Sequence, residues 1–365
     1  MLLPSPPLPA DAGAKIRNAG LLGLLSADHE VDTLIPEASS RSTLTRVADV
    51  LRSDAPDMAR RLWSTNFAET VRRQLQHRAY DAVQAEGIEM AAFLELASTL
   101  PWIYDAHNAE FLLQRRLAQD GSPIGRLYSR IQWRRLERFE GHVVRHSRLS
   151  LAVSEHDANQ LIALAGSPAN VRVIPNAIDV DNYAFRAPSD AQAANLLFVG
   201  KLDFRPNAAG LEWFIRDVLA RLGQVRLFAV GAAPPAWLVA AGQRDQRIAV
   251  TGYVADERPY FARCAALVLP VHTGGGSRLK ALVAMASGLP VVSTRLGMEG
   301  LEAEPETHYV QAESADEWVA SLRRLLRDDG LRQRLACNAR AQVEKRYTWA
   351  ATRDRVRAAY AWLTP

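Results

Sequence analysis

Short runs of apolar residues alternate, from one end of the chain to the other, with stretches in which apolar positions recur every three or four residues. The first pattern suits strands buried on both faces and the second suits helices with one apolar stripe, so the alternation predicts parallel sheets covered by helices. In the second half the predicted strands are 195–199, 225–230, 247–251, 266–269 and 290–294, separated by helices that include 208–222 and 277–287. The first half carries weaker candidates at 29–34, 79–84, 102–105 and 149–153. The stretch 185–194 is polar and marks the natural boundary, which gives two α/β units, 1–188 and 189–347, followed by helix to the end of the chain.

Composition narrows the class. With 365 residues, 48% hydrophobic and 23% charged, the chain has the usage of an ordinary globular protein. At roughly 100 to 200 residues per domain it fills two domains, and disordered, collagen-like and disulfide-scaffold classes are excluded. Cys264 and Cys337 make neither a disulfide framework nor a zinc set, as suits a reducing cytosol. No apolar run approaches the roughly 18 residues of a membrane span, and the start Met1-Leu2-Leu3-Pro4 lacks the basic and apolar regions of a signal peptide. The expected location is therefore the cytoplasm. The first strand is short, with only residues 1–3 ahead of a proline-rich loop, as in a chain whose natural start lies upstream. The formal net charge of +4 is carried by 40 arginines and only four lysines, Lys15, Lys201, Lys280 and Lys345. An excess of base favours an acidic partner, either a phosphate ligand or an anionic membrane face.

The strongest local signal is Gly274, Gly275, Gly276, Ser277, Arg278, Leu279 and Lys280, placed after the strand 266–269 where a helix opens. Glycines let the backbone approach a diphosphate, the helix N-terminus aims free N–H groups at it, and Arg278 and Lys280 add countercharge. The spacing is not that of a Walker P-loop. Gly200 and Lys201 end the strand 195–199, at the edge where open parallel sheets bind ligands, so Lys201 is expected to face the same crevice as Lys280. His107 lies in Tyr104-Asp105-Ala106-His107-Asn108-Ala109-Glu110, where a strand opens into its loop. That cluster reads equally as part of a site and as a capping turn for the helix from Glu110.

Other patterns carry no chemistry. Asp179-Val180-Asp181 follows the chain-reversing Ile174-Pro175-Asn176 and reads as a turn. His142 and His146 lack the glutamate of H-E-x-x-H, and Ser154, His156 and Asp157 lack a nucleophile elbow. No set of His, Cys, Asp and Glu has metal-ligand spacing, so no metal and no cofactor is expected. From Arg115 to Arg148 nine arginines stand against three acids and are interleaved with Leu127, Tyr128, Ile131, Trp133 and Phe139. Arg115, Arg116, Arg126, Arg130, Arg134, Arg135 and Arg138 form a basic amphipathic surface that fits an anionic membrane, or a solvated helix packed by its apolar face on its own domain. No RNA-binding motif accompanies it, so nucleic acid is not an expected partner.

Taken in order, Val173-Ile174-Pro175-Asn176-Ala177-Ile178-Asp179, Phe198-Val199-Gly200-Lys201-Leu202-Asp203, Gly252-Tyr253-Val254, the glycine-rich segment, and Ala284-Met285-Ala286-Ser287-Gly288-Leu289-Pro290 resemble the retaining glycosyltransferases of family 4, glycosyl transferases group 1. Residues 9–17, Asp105-Ala106-His107-Asn108 and Val153-Ser154-Glu155 extend the likeness more loosely over the first half. The resemblance implies the GT-B fold, two Rossmann-like domains facing across a cleft, with a C-terminal helix at about 348–365 crossing back to the first. It implies a nucleotide-diphosphate sugar held by the second domain and a glycan or lipid-linked acceptor held by the first, in cell-surface polysaccharide or glycolipid assembly on the inner face of the membrane. By the same analogy Lys201, Arg278 and Lys280 hold the diphosphate, Gly200, Gly274, Gly275, Gly276 and Ser277 give it room, and Gly13 lies by it. Gly252, Tyr253 and Val254 line the base pocket, and His107 meets the transferred sugar. The family's usual ribose-binding glutamate is replaced here by Val283, which favours a second reading: a non-catalytic sugar-nucleotide-binding or scaffold protein of the same fold.

Overall fold

The computed structural model describes residues 1–9, 13–37, 54–119, 123–166, 169–186, 194–273 and 279–363. Two compact units emerge, one built on Met1–Asn176 and Thr352–Pro365, the other on Ala177–Thr273 and Arg278–Ala351.

The first unit is a parallel sheet of β1 (Val83–Glu86), β2 (Trp102–Ala106), β3 (Leu149–Ala152) and β4 (Val171–Val173), in that spatial order. The first three strands are buried at every residue, which is why they read as near-continuous apolar runs. Leu21, Leu25, Ile103, Leu149, Leu151, Val356 and Tyr360 form one core, which takes in the helices Gly13–Leu25 and Trp349–Tyr360. Another core joins Phe67, Ala85, Phe93, Tyr104, Leu136, Val143 and Leu161. The 24-residue helix Pro123–His146 contributes Leu136, Val143 and Val144 to this second core and leaves Arg126, Arg130, Arg134 and Arg138 exposed. Arg134 and, from the helix before, Arg115 lie over the ring of Trp133.

The expected strand at 29–34 reduces to a single parallel bridge between Leu34 and Leu2, and Leu2 also bridges Ala85. Its segment, Ala-Asp-His-Glu-Val-Asp-Thr from 27 to 33, has too few apolar side chains to cover a sheet face. Asp32 turns instead to Tyr80, whose hydroxyl donates to it at 2.5 Å, and to Arg78 at 2.9 Å. The expected strand at 79–84 is shifted, running from Val83 to Glu86. A carboxylate thereby closes a fully buried strand.

The second unit is a six-stranded parallel sheet in the order β10-β9-β8-β5-β6-β7, formed by Val310–Gln311, Val291–Ser293, Ala266–Leu269, Asn195–Val199, Arg226–Val230 and Ile248–Gly252. The winding runs outward from β5 in one direction and from β8 in the other, so the neighbours β5 and β8 form a topological switch point. Trp318, Phe214, Phe198, Leu227, Val268 and Val292 share one core. The helix expected over 208–222 is realised as Arg205–Trp213, then a π turn over Phe214–Val218 and a short 3-10 turn. It presses on the end of β8: a Cβ on Gly210 would stand 1.9 Å from the Pro270 carbonyl oxygen, so only glycine fits. The helix expected from 277 is described from Leu279 to Ala286, and seven of its eight residues are buried, all but Lys280.

Candidate active site

In the second unit the carboxyl ends of β5 and β8 are where an open parallel sheet has room for a ligand. Gly200 leaves β5 with φ of 140°, a backbone conformation that side chains rarely adopt. A Cβ there would lie 3.0 Å from Lys280 Nζ and 3.2 Å from Asn207 Nδ2, so the missing side chain makes the space in which Lys280 stands. Lys280 Nζ donates to Asn207 Oδ1 at 3.1 Å and lies 5.1 Å from the centre of the Phe198 ring. Asn207 Nδ2 in turn donates to the Lys201 carbonyl at 2.8 Å. One amide thus ties the loop after β5 to the helix after β8. The Lys201 side chain is 67% exposed and lies 3.5 Å from Asp203.

Gly252 ends β7 with φ of 71° and presents Tyr253, 70% exposed, with Val254 partly covered beside it. Val283 is 2% exposed on its buried helix. One turn further on, Ser287 joins Tyr183, Asp256 and Arg258 around a cavity of about 610 Å³. Gly274, Gly275, Gly276, Ser277 and Arg278 lie outside the described residues.

In the first unit His107 follows β2 and is 16% exposed, beside a group of buried charges. Arg17 Nε and Nη2 grip both carboxylate oxygens of Asp105 at 2.8 and 2.6 Å, and its Nη1 donates to the Ile174 carbonyl. Both partners are buried, Arg17 at 2% exposure and Asp105 at 0%. His107 Nε2 lies 3.3 Å from Glu86 Oε2 and 3.7 Å from Asp105 Oδ2. Burial opposes charge on Asp105, yet Arg17 outweighs it and holds the carboxyl below its ordinary value. Glu86, Asp105 and His107 are the one group of metal-ligand type side chains within 4.8 Å of one another among the described residues. Arg17, however, already engages both oxygens of Asp105 and supplies the positive charge in that place. Gly13 opens the helix that delivers Arg17 and Asn18 to this cluster.

The loop after His107 is anchored by Glu140, whose two oxygens accept the N–H groups of Glu110 and Phe111 at 3.3 and 3.0 Å and the Tyr104 hydroxyl at 3.0 Å. A carboxylate thereby caps the helix Glu110–Leu117, as a helix N-terminus favours. Burial drives the Glu140 carboxyl up to about 7 against those three hydrogen bonds. Glu110 is pushed to about 8 by burial and the charge of Glu89, and its Oε2 has no partner. Both values exceed the ordinary 4.5, so the folded state holds protons that the unfolded chain has lost. Stability from these groups is fully present below pH 4.5 and is lost as pH rises towards 8. Urea unfolding at pH 5, 6.5 and 8.5 is therefore expected to show stability falling with pH, and Glu110→Gln is expected to flatten that slope. An equally steep slope in the variant would remove Glu110 as its source.

His107, Lys201 and Lys280 stood out in the sequence by their places at strand ends and a helix start and gained their roles from the family resemblance; in the fold Lys280 donates to Asn207, Lys201 lies by Asp203, and His107 faces Glu86 and Asp105. Sequence spacing did not reveal Arg17, Asn18, Glu86 or Asn207. Each is an ordinary residue type in an ordinary stretch, marked only by the strand ends it meets.

Residues 21–182 match the family model described as Glycosyltransferase Family 4, and residues 193–328 match the model described as Glycosyl transferases group 1. Each half of the chain thus matches a glycosyltransferase family model. The D-inositol 3-phosphate glycosyltransferase of Xylanimonas cellulosilytica is 27% identical over 238 residues, which are 58% of this chain and 56% of that relative. The match thus spans little more than half of the curated relative's length.

Among solved structures, sucrose-phosphate synthase (tll1590) from Thermosynechococcus elongatus superposes with a TM-score of 0.77 at 17% identity, covering 99% of this chain and 98% of the other. Anabaena Alr3699/HepE in complex with UDP-glucose gives 0.69 at 18%, covering 99% and 98%. WaaG, a glycosyltransferase involved in lipopolysaccharide biosynthesis, gives 0.67 at 16%, covering 95% and 96%. Likeness at such identities speaks for the fold, and it is the GT-B fold of two parallel-sheet α/β domains.

Proposed function

We propose that this chain is a metal-independent, retaining glycosyltransferase that moves a hexose from a nucleotide-diphosphate sugar to a glycan or lipid-linked acceptor in cell-surface polysaccharide or glycolipid assembly. The observation that carries the reading is Lys280, held by Asn207 and given room by Gly200 at the β5/β8 switch point. As the bond from sugar to diphosphate breaks, negative charge grows on the leaving group. A fixed ammonium and a helix N-terminus stabilise that charge without a metal. Lys201, Arg278 and the segment 274–277 complete the cradle in this reading, while Tyr253 offers a ring to the base and the cavity beside Ser287 offers space. His107, with Gly13 near it, meets the sugar and diphosphate from the first domain. The UDP-glucose in the HepE structure supports a donor of this class.

The test is release of nucleotide from a panel of nucleotide-diphosphate sugars, with and without membrane extract and with EDTA throughout. Turnover in EDTA supports the reading, and loss rescued by Mg²⁺ or Mn²⁺ removes metal independence. Val283 favours the second reading, a non-catalytic sugar-nucleotide binder. Calorimetric binding of a donor with no turnover under any condition would establish it.

The exposed row Arg126, Arg130, Arg134 and Arg138, with Leu127 62% exposed beside it, fits an anionic membrane face. Each such residue contributes about 1 kcal/mol near an anionic surface, screened within a Debye length of roughly 8 Å at physiological salt. The protein is expected to sediment with phosphatidylglycerol vesicles at low salt and to be released at high salt. Phosphatidylcholine vesicles should hold little. Equal partitioning to both would assign the row to solvation alone.

A further inference from the structure

Arg17 cancels the charge of Asp105 through its two-pronged contact, which leaves Glu86 as the unmatched buried acid of the first unit's cluster. Glu86 is 0% exposed. Its Oε1 accepts from Gln84 Nε2 at 2.5 Å, and its Oε2 faces His107 Nε2 at 3.3 Å. With its nitrogen towards these groups, the Asn18 amide reaches Glu86 Oε2 at 3.0 Å, the Ala14 carbonyl at 3.0 Å and His107 Nε2 at 3.1 Å. An amide nitrogen has two hydrogens, too few for all three neighbours, and among them a ring nitrogen can carry a hydrogen of its own. With His107 Nε2 protonated towards Glu86 at 3.3 Å, the amide hydrogens go to Glu86 and Ala14, and the ring's second nitrogen, Nδ1, is the one left for other work. Nδ1 lies 3.5 Å from where a Gly87 Cβ would stand, and Glu89 Oε2 borders the same point at 3.0 Å. Glycine at 87 keeps that edge uncovered.

We propose that Glu86 is a positioning residue for His107: its buried carboxylate holds the ring at Nε2 and keeps it doubly protonated, so that Nδ1 offers an N–H to an oxygen of the nucleotide sugar. The identity of that oxygen's owner rests on the function proposed above, whereas the pairing of Glu86 with His107 does not. Asp105 of β2 adds to the attraction and Glu89 is acidic, Glu110 keeps its proton up to about 8 and adds no charge at pH 6.5, and Arg17 is the opposing cation, already engaged with Asp105. The Tyr360 phenol, held in the neutral form by burial and by Glu86 and Asp105, brings no charge. Burial alone would strip the proton from His107, but the hydrogen bond to Glu86 and the fields of Asp105 and Glu86 lift it above its ordinary 6.5. Burial and Asp105 in turn push Glu86 upward, with His107 pulling it down. The two groups titrate as a pair.

The test is ring-nitrogen NMR of the full chain, with the His107 signal identified by its loss in His107→Gln. At pH 6.5, where an ordinary histidine is half charged, wild-type His107 is expected to be mostly imidazolium. Glu86→Gln keeps the size and the acceptor but removes the charge, and is expected to lower the proton affinity of His107 at least tenfold. An affinity unchanged within about twofold in the variant overturns the proposal. Should that variant not fold, a neutral His107 in the wild type at pH 6.5 overturns it equally. The pH profile of nucleotide release from UDP-glucose separates the two claims. If the NMR titration moves and the high-pH limb of the profile moves with it, pairing and placement both stand. If the titration moves and the profile stays, Glu86 still governs His107, but His107 does not meet the sugar.

Discussion

Lys280→Ala is expected to lower the rate of nucleotide release by about 10²-fold or more, the scale of removing one preorganised charge-stabilising donor. The melting temperature should hardly move. The ammonium sits at the mouth of the sheet on Asn207 and over the Phe198 ring rather than inside the core, so the loss falls on developing charge and not on packing. Lys201→Ala should cost less, since its side chain is 67% exposed and shared with Asp203, where solvent screening weakens any contact. Asn207→Ala should fall between them, because it loosens Lys280 without removing it. Gly200→Ala offers a check that changes no charge: its Cβ would stand against Lys280 Nζ, and the activity lost should approach that of Lys280→Ala. Near wild-type turnover in purified, folded Lys280→Ala would remove the donor from the β5/β8 switch point.

Arg17→Ala is expected to be the most destabilising single change at the first unit's cluster, costing about 3 to 5 kcal/mol, the usual penalty for stranding a buried charge. Its guanidinium is the cation that answers Asp105, and it also closes the Ile174 carbonyl. Removing it leaves Asp105 at 0% exposure beside Glu86. Adding Asp105→Asn should recover much of the loss, because a neutral amide needs no countercharge. The double variant is therefore expected to be more stable than Arg17→Ala alone, and denaturant unfolding of the two single variants and the double measures the coupling directly. A loss under about 1 kcal/mol in Arg17→Ala would mean the pair is solvated as a surface bridge is.

Much of the second unit was legible because its central strands β5, β8 and β9 are buried at every residue. A strand such as Leu196–Leu197–Phe198 has no polar face to blur the run, and the expected spans differ from the observed ones by a residue or so at the ends. The first unit was harder for a physical reason. Its edge is held by a single bridge at Leu2 and by side-chain contacts around Asp32, neither of which leaves a period in the sequence. The candidate site residues divide in the same way. Gly200 and Lys201 stand at the end of a readable strand, so their position followed from it. Glu86 gains its meaning from β2, whose Asp105 it pairs with across the sheet, and Arg17 is one arginine among 40. Chemistry that depends on which strand ends meet is written in the topology, and one-dimensional spacing does not carry it.

The helix Pro123–His146 keeps two accounts that do not draw on each other. Glu140 turns inward and anchors the loop after His107, whereas Arg126, Arg130, Arg134 and Arg138 are exposed. Substitutions along the outer row can accumulate, or be made deliberately, without disturbing the inner anchor. Surface charge and the anchoring of the loop after His107 are thus separately adjustable on a single rod of backbone.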